Sequence, residues 1–586
     1  MKALFFENDS PLARVVPFLG RLAHYRRDDL IGDLLAGVIV AIMLVPQAMA
    51  YAMLAGLPPE IGLYASIAPP ILYGLLGTSR ALAVGPVALT SILVAVGVGQ
   101  VAPQDTSQYL LLALTLALLV GVLQLLMGLA RLGTLVNFIS HPVLSGFTSA
   151  AALVIAASQL KYVLGVSVPR SSLLHETLIQ TYLALPGLNP VTLGIGIGAI
   201  LLLIFFKRGL DPMLERVGVP SAWRMPITKS GPLAVVFLGT LLVWGLGLQA
   251  SGVEIVGKIP AGLPPLTLPS FKPSLLIDLS GTAMTLTLVA FLESISVAKA
   301  LASKRREKVD ANQELVALGI ANLGAAFTGA YPVAGGFARS VVNYSVGARS
   351  GLASIITAGL IALTLVFLTP LFYFLPKAIL AAIIIVAVLN LIDLATLSTV
   401  WQYNKADALS LLVTFGAVLI LGIETGILVG VVLTLALYLW RTSRPHVAVV
   451  GRVGETEHYR NVKRHAVQTC PRILAVRVDE SLYFANSQYL ENVLLNSIAE
   501  QPQVEHLLLI CSAINFIDAS ALETLEDLLR ELQDAGVQLH LAEVKGPVMD
   551  RLKGTSFINR LGEDNVYLST HQAMQALGCP ANGSGS

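Results

Sequence analysis

The feature that most limits what this chain can become is a series of apolar runs, each near the ~20 residues a helix needs to cross the hydrocarbon of a bilayer. Tyr109 to Ala130, Pro232 to Leu248 and Leu352 to Thr369 are three of them. About fourteen can be counted by hydropathy before Arg441, some too short to cross alone. In lipid every backbone N–H and C=O must find its partner inside the protein, so the runs are expected to be helices. Composition enters only as support. Charged residues make up 13 % of the chain, against about 25 % in soluble domains. An ordinary soluble enzyme and a disordered chain are both excluded.

The charges are unevenly placed. Residues 445–586 carry 11 Lys+Arg and 17 Asp+Glu, net −6, whereas the 444 residues before them carry 27 and 19, net +8. Two solvents are implied, lipid for the first block and water for the second. The expected divisions are an N-terminal cytosolic segment at 1–33, a transmembrane region at 34–443, a cytosolic domain at 444–578 and a tail at 579–586. Arg14, Arg21, Arg26 and Arg27 mix with Asp28, Asp29 and Asp33 ahead of the first run, and no small-residue cleavage signal follows a short apolar core. The first helix is therefore expected to be retained. Later basic residues gather in two connections, Lys207, Arg208, Arg216, Arg224 and Lys229 in one, Lys299, Lys304, Arg305, Arg306 and Lys308 in the other. Placing both in the cytosol puts the two termini there as well, in a membrane of the bacterial inner (plasma) type. Cys470, Cys511 and Cys579 show neither pairing nor CxxC spacing, so neither a disulfide nor a zinc site is expected, and a reducing compartment suits them.

Fourteen segments divided into two sevens would oppose each other in orientation, the inverted repeat of many secondary transporters. Such repeats place interrupted helices at matching positions. The third segment opens with Arg80-Ala81-Leu82-Ala83-Val84-Gly85-Pro86-Val87, and the tenth with Tyr331-Pro332-Val333-Ala334-Gly335-Gly336-Phe337-Ala338-Arg339. Gly and Pro there point to broken helices meeting at the midplane. Two half-helix N-termini facing each other offer unpaired N–H groups and positive dipole ends, a seat for an anion. Singly, each break could be a packing notch, because Gly and Pro are common in membrane helices. Their paired placement, with an arginine in one member, favours the site.

An ionisable side chain in mid-membrane costs ~2.5 to 3.5 kcal/mol, which makes it a functional candidate by default. Glu293 lies well inside the eighth segment, and Arg339 follows the tenth-segment break directly. A carboxylate beside a fixed cation makes a switch: ionised it pairs with the arginine, and protonated it frees the arginine for an anion. A static structural ion pair is the plain alternative. Lys161, Lys377, Asp393 and Glu424 fall near segment ends, where snorkelling accounts for them. Gln47 and Tyr51 stand one turn apart on the first segment, a candidate substrate-lining face, though a hydrogen bond between helices would also explain the glutamine. Gly194-Ile195-Gly196-Ile197-Gly198 lies in an apolar run without a strand-loop-helix context, so it is no dinucleotide loop. No Walker A lysine, HExxH pair or nucleophile elbow appears, so the chain is not read as an enzyme, and no cofactor or metal is expected.

Three stretches resemble the SulP family of anion transporters, the sulfate permease type. They are Val45-Pro46-Gln47-Ala48-Met49-Ala50-Tyr51-Ala52 with Gly56-Leu57-Pro58-Pro59 and Gly62-Leu63-Tyr64, then Phe138-Ile139-Ser140-His141-Pro142-Val143-Leu144-Ser145-Gly146-Phe147-Thr148, then Gly335-Gly336-Phe337-Ala338-Arg339-Ser340. The resemblance implies a seven-plus-seven inverted-repeat fold with core and gate domains, elevator-like movement of the core and a homodimer. It implies an anion site lined by Gln47 and Tyr51, with Val84, Gly85, Pro86, Val87 and Ala88 forming one half-helix end and Phe337, Ala338, Arg339 and Ser340 the other. Many relatives carry a serine where this chain has Ala338. Glu293 matches the carboxylate the family associates with coupling, and sodium-coupled relatives are expected to carry aspartate there with threonine where this chain has Val297. Protons are therefore expected rather than sodium, and a lone carboxylate is in any case a poor sodium cage.

Beyond the membrane block, Ile473 to Val478, His506 to Cys511 and Val537 to Leu541 read as strands alternating with amphipathic helices such as Ala521 to Gln533, a small α/β domain. Asn515-Phe516-Ile517-Asp518-Ala519-Ser520-Ala521 resembles the STAS domain that ends SulP transporters. Ser520 matches a serine phosphorylated in bacterial anti-sigma antagonists and is a regulatory candidate, although Ser520-Ala521-Leu522-Glu523 also fits a helix-start capping box. The expectation is an α-helical polytopic membrane protein that imports an inorganic anion, sulfate first, with protons. Bicarbonate, C4-dicarboxylates and uncoupled anion conduction remain open.

Overall fold

The computed structural model describes residues 16–22, 25–102, 107–134, 140–169, 171 and 173–579. Most of the N-terminal segment's first half, Phe138 and Ile139 of the second motif, and all of the tail but Cys579 lie outside the described residues. Eight described helices are long and apolar enough to cross a membrane, or nine if the bent pair Trp223–Lys229 and Gly231–Leu246 is one span. The chain is an integral membrane protein. It divides into two compact units, Met1–Thr434 and Leu435–Ser586.

We number the principal elements in chain order. The first half of the membrane unit holds α1 (Arg27–Ala55), α2 (Ala68–Leu76), β1 (Val84–Gly85), α3 (Ala88–Val101), α4 (Ser107–Leu129), α5 (His141–Leu164), α6 (Pro190–Ile204) and α7 (Gly231–Leu246). The second half holds α8 (Ser280–Arg305), α9 (Ala311–Phe327), β2 (Ala334–Gly335), α10 (Phe337–Val346), α11 (Leu352–Leu363), α12 (Lys377–Val388), α13 (Lys405–Leu421) and α14 (Ile423–Thr442). Helices α1 to α4 pack among α8 to α11, and α5 to α7 pack among α12 and α13, so each bundle draws on both halves of the chain. The run from Gly194 to Gly198 is helical, within α6.

The close crossings explain part of the first motif. A Cβ on Gly62 would stand 1.9 Å from the carbonyl oxygen of Ala48, so only glycine lets the short helix Pro59–Tyr64 lie against α1 beside Gln47 and Tyr51.

Two carboxylates that sequence reasoning left unremarked or assigned to solvent are fully buried. Asp33, placed above at the end of the N-terminal segment, lies inside α1 and accepts from Tyr25 Oη at 2.6 Å, from the amides of Arg349 and Ser350 at 2.6 and 3.1 Å, and from Ser350 Oγ at 2.6 Å. Glu314, in the first turn of α9, accepts from Tyr73 Oη at 2.6 Å, from the amide and hydroxyl of Thr78 at 2.7 and 2.6 Å, and from the amide of Ser79 at 3.0 Å. Both join the two halves. Among the acids and bases assigned to snorkelling, Asp393 instead caps its helix, accepting from Thr396 N at 3.0 Å, and Lys377 pairs with Glu254 at 3.2 Å.

The second unit is an α/β domain. Its elements are β3 (Val447–Arg452), β4 (Tyr459–Asn461), β5 (Ile473–Val478), α15 (Ser487–Ala499), β6 (His506–Ile510), α16 (Ala519–Asp534), β7 (Gln538–Ala542), α17 (Gly546–Lys553), β8 (Val566–Tyr567) and α18 (Thr570–Ala576). The sheet order is β4-β3-β5-β6-β7-β8, parallel from β5 to β8 and antiparallel at β3 and β4. The last turns of α14, from Leu435 on, belong to this unit, where Tyr483 Oη donates to Thr442 Oγ1 at 2.6 Å and Asn486 Nδ2 to the Thr442 carbonyl at 3.3 Å.

Two expectations fail here. Cys470 and Cys579 are joined in a disulfide, with Cα atoms 6.0 Å apart across a sequence separation of 109. The fold brings a residue three positions ahead of β5 beside one three positions after α18, an adjacency no local spacing could reveal. The cysteines therefore lend no support to a reducing compartment. Cys511 is the free cysteine among the described residues, and burial pushes its thiol up to about 12, which leaves it inert. The cap of α16 is Asp518, which accepts from Ala521 N at 2.8 Å. Ser520 is exposed inside the first turn and closes no capping box, because the chain enters the helix two residues earlier.

Candidate functional site

The two interruptions meet. Val84 pairs with Gly335 and Gly85 with Ala334 as an antiparallel ribbon, extended by the bond from Gly336 N to the Ala83 carbonyl at 2.9 Å. Backbone this irregular is tolerated in a membrane when it is buried in protein, and Val84, Gly85, Ala334 and Gly335 are all buried. The half-helices α3 and α10 start from the ends of the ribbon, at Ala88 and Phe337. Their N-caps are Val87 and Gly336, residues with no side-chain acceptor. The first-turn N–H groups at both starts are thus left for something other than a side-chain cap.

Side chains fix the ribbon from three directions. Ser294 Oγ accepts from Gly335 N at 2.8 Å, one residue along α8 from Glu293. Asn322 on α9 accepts from Val333 N at 2.8 Å and donates to the Val333 carbonyl at 3.2 Å. Ser340 Oγ accepts from Ala83 N at 2.9 Å and donates to the Gly336 carbonyl at 2.7 Å.

Arg339, in the first turn of α10, is 2 % exposed. Its Nη1 donates to the Pro86 carbonyl at 2.9 Å, while Nε and Nη2 have no partner. A buried guanidinium with open donors is costly unless a ligand fills them. A Cβ on Gly336 would lie 2.6 Å from Nη2, so glycine is needed for the guanidinium to fold back over the helix start. Glu293 Oε2 is likewise buried without a partner.

A cavity of about 540 Å³ opens at this point. It is lined by Gln47 and Tyr51 from α1, Val87 and Ala88 at the start of α3, Glu293 from α8, and Phe337, Ala338 and Arg339 from α10. The remaining expected ligands stand behind it. Val84 and Gly85 are ribbon residues, Pro86 offers its carbonyl to Arg339, and the Ser340 hydroxyl is spent on backbone. Glu293 and Arg339 share the lining without the direct hydrogen bond that an ionised pair was expected to make.

Sequence reasoning missed Lys207 and Lys229, which also line the cavity and had been read only as markers of topology. Lys207 donates to Asn390 Oδ1, a third lining residue it overlooked. Three cations thus face a single carboxylate among the described lining residues, and the surplus of positive charge suits an anion. Ser520 belongs to the other unit and has no part in this site.

The profile of the sulfate permease family matches residues 30–414, and that of the STAS domain matches residues 464–573. The chain is 38 % identical over 555 residues to "Sulfate transporter 4.1, chloroplastic" of Arabidopsis thaliana, covering 93 % of this chain and 79 % of that one. It is 35 % identical over 569 residues to a "Probable sulfate transporter" of Mycobacterium tuberculosis, covering 96 % and 98 %. Its fold is similar to that of the murine Solute Carrier 26 family member A9 anion transporter solved in an inward-facing state, with TM-score 0.88, 27 % identity, and coverage of 97 % of this chain and 94 % of that one.

Proposed function

The chain belongs to the sulfate permease family, and from that premise we propose that it imports sulfate together with protons by elevator-type alternating access. The observation that carries the reading is the Arg339 guanidinium, buried at two facing half-helix starts with two of its nitrogens unpartnered. In the proposed bound state the anion accepts from Nε and Nη2 of Arg339 and from first-turn amides of α3 and α10, exchanging its water shell for fixed donors. Gln47 and Tyr51 close the remaining side. Glu293 carries the proton. Glu293 lines the same cavity and its Oε2 has no partner, free to change protonation as the anion comes and goes. Protons entering with a divalent anion offset its charge, which otherwise costs ~2.3 kcal/mol per charge per 100 mV against an inside-negative potential.

The same reading places both termini and the C-terminal domain in the cytosol, in a plasma-membrane-type bilayer, with two copies forming a dimer and Ser520 exposed for regulation. The cavity volume exceeds what one tetrahedral anion fills, which keeps C4-dicarboxylates as a second reading.

The test is radiolabelled sulfate uptake into proteoliposomes with and without an inward proton gradient. Gradient-driven uptake that disappears in Glu293→Gln is expected. Uptake indifferent to both the gradient and the substitution would leave uncoupled conduction, and succinate or bicarbonate uptake without sulfate would reassign the substrate.

A further inference from the structure

The C-terminal domain holds a second pocket whose chemistry suits an anion, independent of the membrane cavity. From Pro445 onward the chain is net −6, yet one end of the sheet gathers His446, Arg460, Arg464, His465 and Arg477 around a cavity of about 440 Å³. The single carboxylate there, Asp479, is already engaged. Arg477 donates to it through Nε at 2.6 Å and Nη2 at 3.1 Å, and His446 Nδ1 lies 2.7 Å from its Oδ2. Arg460 and Arg464 form no ion pair among the described residues, and both are exposed to solvent.

The backbone holds them together. Arg460 lies on β4, paired with β3, and the turn after it is closed by amides of Arg464 and His465 donating to the Asn461 carbonyl at 3.0 and 3.1 Å. The Asn461 side chain accepts from Lys463 N at 2.8 Å, so the return of the chain toward the pocket is fixed by one residue.

We propose that this pocket binds a tetrahedral oxyanion group, gripped by the paired forks of Arg460 and Arg464 with His465 beside them. Arg477 and His446, both engaged with Asp479, line the pocket beside them. The group has two possible carriers. A free anion can reach an exposed pocket directly. A lipid headgroup carries the same group, and near the end of α14 Arg444 stacks on Trp440 at 4.2 Å, as interfacial anchors do.

Full-length protein in detergent micelles is titrated with inorganic pyrophosphate and, separately, with short-chain phosphatidic acid against phosphatidylcholine, with binding read by native mass spectrometry. The expected result is a complex with one of the two phosphate probes whose affinity falls about tenfold or more in Arg460→Gln/Arg464→Gln. Arg339→Gln and the charge-matched Arg530→Gln/Arg551→Gln retain it. Pyrophosphate binding identifies a free anion as carrier, and phosphatidic acid binding without pyrophosphate identifies a headgroup. Binding of neither probe, unchanged affinity in the Arg460/Arg464 variant, or an equal loss in the charge-matched control overturns the proposal.

Discussion

Consecutive helices of the membrane unit each hold a carboxylate inside the protein, and the two are in opposite situations. Glu314 on α9 receives hydrogen bonds from Tyr73, Thr78 and Ser79, whereas Glu293 on α8 keeps an oxygen with no partner at the edge of a cavity. Burial already differs, Glu314 being buried outright and Glu293 half-buried. The number of donors separates them: a saturated carboxylate is a fixed joint between two segments, and an unsaturated one is available to a ligand or a proton.

The largest expected effect tests the saturated side. Glu314→Ala strands the Tyr73 and Thr78 hydroxyls and the amides of Thr78 and Ser79, at a cost of about 4 kcal/mol or more. Loss of monodisperse protein in size-exclusion chromatography is the readout. Glu293→Ala is expected to leave the elution profile intact, and equal damage from both substitutions would break the comparison. Next in size is Arg339→Ala, which removes the open donors and should lower sulfate uptake about a hundredfold while thermal stability in detergent is retained. Gly336→Ala is a finer probe. Its methyl group displaces the guanidinium without removing charge, and an approximately tenfold rise in KM for sulfate is expected, measured by uptake at graded sulfate concentrations.

The last effect lies in the C-terminal domain, where His540 has an intermediate share of partners. It is 1 % exposed, with His506 Nδ1 at 3.1 Å from its Nε2, and burial followed by the neighbouring His506 holds its pKa at about 4. The unfolded chain takes up this proton near pH 6.5 and the folded one near 4, so the unfolded state binds more protons between those values. The neutral imidazole's contribution is complete above about pH 6.5 and is lost as pH falls toward 4, for about 1–3 kcal/mol. Hydrogen exchange of β7 amides in the full chain, corrected for intrinsic rates, should show protection falling over that window, and His540→Gln should flatten the profile.

Much of this was legible because glycine and proline interrupt an apolar pattern visibly. The sequences around Pro86 and Gly335 announced two breaks, and Glu293 and Arg339 stood out within apolar segments. The strands and α16 of the C-terminal domain were also readable from alternation and amphipathicity. The two-residue ribbon was not, since β1 and β2 are too short to carry a period. Ser340 was expected as a ligand only through the family resemblance, and the fold shows its hydroxyl turned to Ala83. Asp33 was charged to the solvent because arginines and aspartates crowd the residues ahead of it, and the donors that bury it come from Tyr25, Arg349 and Ser350. The disulfide, like the lining lysines, depends on adjacency between distant parts of the chain.

The ribbon also sets an order of events. Arg339 reaches back 253 residues to the Pro86 carbonyl, and Ser340 reaches 257 residues to the Ala83 amide. A growing chain therefore presents its first break to the translocation machinery long before the residues that complete it have been synthesised. Until then those peptide groups need a temporary host, whether water, the insertion machinery or another part of the nascent protein. A chain halted between the halves lacks Arg339 and Ser340, so the Pro86 carbonyl and the Ala83 amide stay without the partners the complete fold gives them.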